Sequence, residues 1–96
     1  MTVLTLTSLR NDPLEPLIAS AMATELRMLE ASMRQTQERL RAFEQQYGLT
    51  TAEFVAQYAR NEIEETLETI EWLGEYRMAM SIKDQIDGLK AIQFAR

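Results

Sequence analysis

The 96-residue sequence contains no cysteine and no histidine. The first absence excludes disulfide staples, thiolate nucleophiles and zinc–thiolate sites. The second removes the commonest general base, the commonest transition-metal ligand and the one side chain that ordinarily titrates near neutrality. No apolar run approaches the ~18 residues that a membrane span requires, and the first residues lack the basic start and apolar block of a secretion signal. A reducing, cytoplasmic setting with no membrane partner is the expectation. Ninety-six residues make one domain at most, and a chain of this size buries only about 60–65% of the surface it exposes when unfolded.

Basic residues are scarce where acidic ones are dense. The net charge is −5, which argues against direct nucleic-acid binding, because phosphate contacts require clustered Lys and Arg. From Glu62 to Glu75 there are six glutamates and no base. A hydrophobic content of 46% beside 26% charged residues is nevertheless that of a folded chain.

The periodicities divide the chain into an extended arm over residues 1–12 and a helical hairpin over 13–96. Thr2 to Leu9 alternates in part, Leu4 and Leu6 against Thr5 and Thr7, which is the period of a half-buried strand. Asp12 is a good N-cap and Pro13 suits a first helical position, although Pro16 moves regular helix further along if its missing amide is needed. Met22, Leu26, Leu29, Met33, Thr36, Leu40, Phe43 and Tyr47 then recur at alternating four- and three-residue steps, an unbroken heptad pattern. Gly48 supplies the left-handed stop. Thr50-Thr51-Ala52-Glu53 reads as a capping box opening a short helix, and Asn61-Glu62-Ile63-Glu64 as a second that breaks and restarts it. The last helix is expected to run to about Leu89, or to Phe94 if Gly88 is tolerated inside it. At 100° steps Ile63, Leu67, Ile70, Gly74, Met78, Ile82, Leu89 and Ile92 share its main face. Leu73, Tyr76 and Met80 form a second stripe roughly opposite, with Trp72 at its edge.

The expected fold is therefore all-α, a long helical hairpin with a short intervening helix and a β-like N-terminal arm. A hairpin hides one stripe per helix, and this chain has two on its last helix. Either Phe54 and Tyr58 of the short helix fold back over the second stripe, or two hairpins pack into a four-helix bundle. The bundle is favoured, because ~10 helical residues cannot cover a rod roughly 45 Å long. This reading assigns Leu26, Leu29, Met33, Leu40 and Phe43 of the long helix, with Trp72, Leu73, Tyr76 and Met80 of the last, to the dimer or partner interface. Glu64, Glu65, Glu68, Glu71 and Glu75 become an acidic, partner-facing surface. The methionines act as adaptable filler. Gly74 inside a helix suggests close approach of another helix or a local kink.

Two resemblances bear on function. Glu68-x-x-Glu71 followed by Asp84-x-x-Asp87 is similar to the paired acidic motifs of the all-α nucleotide pyrophosphatases, E-x-x-E and then E-x-x-D, which would imply magnesium-dependent nucleotide hydrolysis. The second pair here begins with Asp, and on one continuous helix the pairs lie about 13–16 residues, or ~20 Å, apart, so no metal site and no catalytic residue is assigned. Leu40 to Leu49 (LRAFEQQYGL), Thr51-Ala52-Glu53-Phe54 and Leu67 to Met78 (LETIEWLGEYRM) together resemble a family of small uncharacterised prokaryotic helical proteins, common in archaea and cyanobacteria. Its members are often encoded beside a small toxin-like gene. That resemblance implies an antitoxin-like role and brings no catalytic residues. The acidic helix suits a basic toxin as partner by charge complementarity, besides the second copy of the chain that the surplus stripe calls for, and no enzyme activity or cofactor is expected. A purely structural coiled-coil adaptor is the third reading.

Overall fold

The computed structural model describes residues 3–94. Three helices and no strand occur among them: α1 (Leu14–Tyr47), α2 (Thr51–Ala59) and α3 (Leu67–Lys90). The expected strand is absent. Val3 to Ser8 has no regular secondary structure, since no neighbouring strand edge takes up its backbone groups; Thr2, its first expected residue, lies outside the described residues. The molecule is elongated, 59 × 26 × 19 Å, because α1 of 34 residues lies antiparallel to α3 along most of its length.

Helix ends follow local chemistry. Pro13 caps α1 in extended conformation, so Asp12 is not the cap and helix begins at Leu14, ahead of Pro16. Pro16 is harmless there because third-position amides have no partner within the helix anyway. Gly48 closes α1 at φ 66°, its amide donating to the Glu44 carbonyl, as its sequence position implies. Thr50 caps α2 by accepting the Glu53 amide at 3.1 Å, while the Glu44 carboxylate accepts the Thr51 amide at 2.7 Å.

The second break falls near Asn61, but α3 does not restart there. Asn61 adopts φ 57°, a left-handed conformation that ends a helix and cannot supply the extended N-cap that starts one. The restart belongs to Thr66 and Thr69. The Thr66 amide donates to Thr69 Oγ1 at 2.8 Å and the Thr69 amide to Thr66 Oγ1 at 3.2 Å. Gly88 is accommodated inside α3, which stops at Lys90.

Five of the expected interface residues, Leu26, Leu29, Met33, Leu40 and Phe43, are partly buried on the α1 stripe that faces α3 within the same chain. The inner face of α3 takes residues from both expected stripes: Ile82 and Leu89 of the main one are covered as expected, whereas Trp72 and Tyr76 replace its Leu67, Ile70 and Met78. Trp72 is 0% exposed and Thr69 and Ile82 are buried, with Tyr76, Ala79, Ile86 and Leu89 partly so; this is the face that meets α1. Leu67, Ile70 and Met78, expected on the main face, stand 73%, 50% and 54% exposed. Ile63 lies outside α3 and cannot anchor a helical stripe. The largest side chain decides the matter, because burying an aromatic contributes more than burying a Leu or Met.

The short helix does fold back. Phe54 stacks on Trp72 at 3.9 Å and 5° between ring planes, and Phe43 stacks on it at 5.6 Å and 11°. Tyr47 adds a tilted contact at 5.4 Å. The Trp72 indole N–H donates to Thr51 Oγ1 at 3.1 Å. Trp72 is thus packed inside its own chain and is no interface residue. Leu73 and Tyr76 are half covered, and Met80 alone of that group is 50% exposed.

Because all three helices meet at this one ring, Trp72→Ala and Phe54→Ala are each expected to lower stability by about 3–5 kcal/mol. Thr51→Val, which leaves the indole donor unsatisfied, is expected to lower it by about 1–3 kcal/mol. Urea unfolding followed by circular dichroism measures all three, and a loss under ~1 kcal/mol for Trp72→Ala would contradict this packing.

Candidate functional site

The surface that the fold leaves unpartnered is one long flank of the hairpin. Leu67, Ile70, Gly74 and Met78 fall within an arc of about 80° on α3. Phe43, Ala42, Gln46 and Arg39 of α1 face Gly74 and Met78 across a groove of ≈ 570 Å³. A Cβ placed on Gly74 would meet no atom within 4 Å. Nothing inside the chain therefore requires glycine there, although an interior helical Gly costs about 1 kcal/mol relative to Ala. Gly74, Met78, Leu67 and Ile70 were legible in the sequence as a helical stripe, but one assigned to the core.

A second groove of ≈ 520 Å³ lies on the other flank. It runs between Met33 and Leu40 of α1, Val55 of α2, and Tyr76, Met80 and Lys83 of α3. The α2 backbone narrows it, so Met80 and Tyr76 form its wall and not a continuous stripe.

The acidic residues expected to face a partner divide into two sets. Glu68 accepts from Tyr47 Oη at 2.5 Å and from Gln46 Nε2 at 2.8 Å. Glu65 accepts from Tyr58 Oη at 2.6 Å. These two carboxylates tie the start of α3 and the loop before it to α1 and α2 while remaining exposed. Glu75 pairs with Arg39 at 3.5 Å, and its Oε2 is buried with no hydrogen-bond partner. Glu64 and Glu71 are exposed. Glu68 and Glu71 share one uninterrupted helix with Asp84 and Asp87, so the pairs cannot converge, and Asp87 is engaged by Lys83 at 3.0 Å. Among the described residues no three Asp or Glu side chains stand close enough together to hold a metal ion. No helix among them is long and apolar enough to cross a membrane.

Hydrogen bonding to Glu68 raises the Tyr47 hydroxyl above its usual pKa near 10, with burial and the carboxylate charge acting in the same sense. Glu65 does the same to Tyr58. A phenol whose folded pKa is raised holds its proton more tightly in the native state, so its stabilising effect is complete below the unfolded value. That effect is lost as pH rises through the folded one. Stability is therefore expected to fall above about pH 10, and Tyr47→Phe and Tyr58→Phe should each flatten that decline. Unfolding midpoints measured from pH 8 to 11.5 test this, and an unchanged slope in both variants would refute it.

No protein-family model matches the chain, and no curated protein or solved structure is significantly similar to it.

Proposed function

We propose that the protein is a protein–protein interaction module that works as a homodimer, two hairpins packing flank to flank into a four-helix bundle. The carrying observation is the exposure of Leu67, Ile70 and Met78 at 73%, 50% and 54% on one uninterrupted stripe beside an apolar groove. An apolar patch of this continuity on a small chain is characteristic of an interface. The fully buried apolar core of the single chain is also small: Phe54, Trp72 and Ile82. Covering the flank with an identical one extends that core.

The task we assign to the dimer is antitoxin-like, holding inactive a partner encoded nearby, as the family resemblance implies. The surface charge supports it. Glu64, Glu65 and Glu68 are exposed at and just before the first turn of α3, and a basic protein surface is attracted to such a patch and steered onto it.

Sedimentation equilibrium at micromolar concentration is expected to return twice the 11.1 kDa chain mass. Ile70→Glu should return the single mass while keeping the helical spectrum; a monomeric wild type would end the dimer reading. For the antitoxin-like role, the neighbouring gene expressed alone is expected to arrest growth, and co-expression with this chain to restore it. Growth unaffected by the neighbour would remove that role without touching the dimer.

A further inference from the structure

At the centre of the flank the single chain leaves an ion pair incomplete. Arg39 Nη1 stands 3.5 Å from Glu75 Oε1, longer than the roughly 2.7–2.9 Å of a well-formed charge-assisted hydrogen bond. The other oxygen of that carboxylate, Oε2, is buried with no donor, and a buried polar atom without a partner is costly. Glu71, one turn earlier on α3, lines the same groove and is exposed. One guanidinium and two carboxylates thus line the same groove, and Glu75 Oε2 has room for a further donor.

A two-fold axis running along the hairpin would lay α1 of one copy over α3 of the other at the same height, with all neighbouring helices antiparallel. Arg39 is level with Glu75 inside the chain. The same axis therefore brings Arg39 of the second copy level with Glu75 and Glu71 of the first. An axis across the hairpin would instead lay α3 on α3 and leave Glu75 Oε2 without its donor. The area is adequate as well. The 24 residues of α3 give a length of about 36 Å, and the molecule is 26 and 19 Å across its shorter axes. The flank thus offers roughly 700–900 Å², against the ~800 Å² per partner of a standard interface.

We propose that a second copy of this chain occupies the flank with α1 over α3, so that Arg39 of each copy bridges Glu71 and Glu75 of the other. This rests on the dimer reading above and adds the orientation and the residues that set it. A basic foreign protein would answer the carboxylates but not Arg39, whereas an identical flank answers both.

Charge exchange in sedimentation velocity tests it. Arg39→Glu and Glu71→Lys should each weaken the wild-type dimer on the order of tenfold or more, with helicity checked by circular dichroism. Mixing the two variants should restore association, because each then presents the charge the other lacks. A wild-type dimer whose variants are unaffected, or are weakened but not restored by mixing, would overturn this arrangement and leave the dimer standing. A monomeric wild type would overturn both. Should Arg39→Glu fail to fold, the cysteine-free background offers a second route. Ala42→Cys mixed with Gly74→Cys should give disulfide-linked dimers under mild oxidation. Cross-linking of Gly74→Cys alone, with none in the mixture, would show α3 on α3 and refute the proposal.

Discussion

One indole ring decides how this chain folds. Trp72 of α3 is touched by side chains of both other helices: Phe43 and Tyr47 from α1, Phe54 and Thr51 from α2. Two nearly coplanar stacks and a satisfied donor leave the ring little freedom, and aromatic pairs in such offset geometry contribute about 0.5–1.5 kcal/mol beyond area burial. Its position has two consequences. It turns the Thr69–Tyr76 side of α3 towards α1, and it holds α2 against the hairpin although α2 has only nine residues. Leu67, Ile70 and Met78 of the outer flank are exposed because Trp72 takes the inner one.

This explains what was legible in the sequence and what was not. The heptads of α1 could be read directly, since every seam position from Met22 to Tyr47 except Thr36 carries a large apolar side chain. Gly48 and Thr50 were equally plain, because each acts on its immediate neighbours. The inner face of α3 was not. Its seam runs through Thr69 and Ala79, which carry almost no hydropathy signal, whereas Leu67, Ile70 and Met78 carry a strong one. Periodicity counts apolar atoms and is blind to which aromatic rings will meet in space. The restart at Thr66 was hidden for a similar reason. Asn61-x-x-Glu64 fits the capping pattern better than Thr66-x-x-Thr69, and only the left-handed backbone of Asn61 excludes it.

The acidic run shows the same contrast between composition and geometry. Read as a line of charge, residues 62 to 75 present six carboxylates to a partner. In the fold, Glu65 and Glu68 take tyrosine hydroxyls, Glu62 takes Arg60 at 2.9 Å and Glu75 takes Arg39. Such exposed pairs contribute little each, yet Glu68 joins the start of α3 to the remote end of α1, and Glu65 closes the loop between α2 and α3 onto Tyr58. The exposed carboxylates Glu64, Glu65 and Glu68 cluster at and just before the start of α3.

Surplus apolar surface remains, but it has moved. The expectation that α3 carries more apolar surface than one hairpin can hide holds in the fold, with Leu67, Ile70 and Met78 wet where Trp72 and Tyr76 are covered; Met80 stays exposed. The relocation matters because the two faces differ in kind. The Trp72 face is interrupted by α2 and suits a three-helix core. The outer flank is bounded by helix alone, carries a glycine where alanine would favour the helix, and includes a carboxylate oxygen that is buried but unpaired. A surface designed only to face water needs neither feature. Each becomes reasonable where a second helix lies close above Gly74 and brings a cation to Glu75, so the small core of the monomer and the unfinished chemistry of its flank point to one cause.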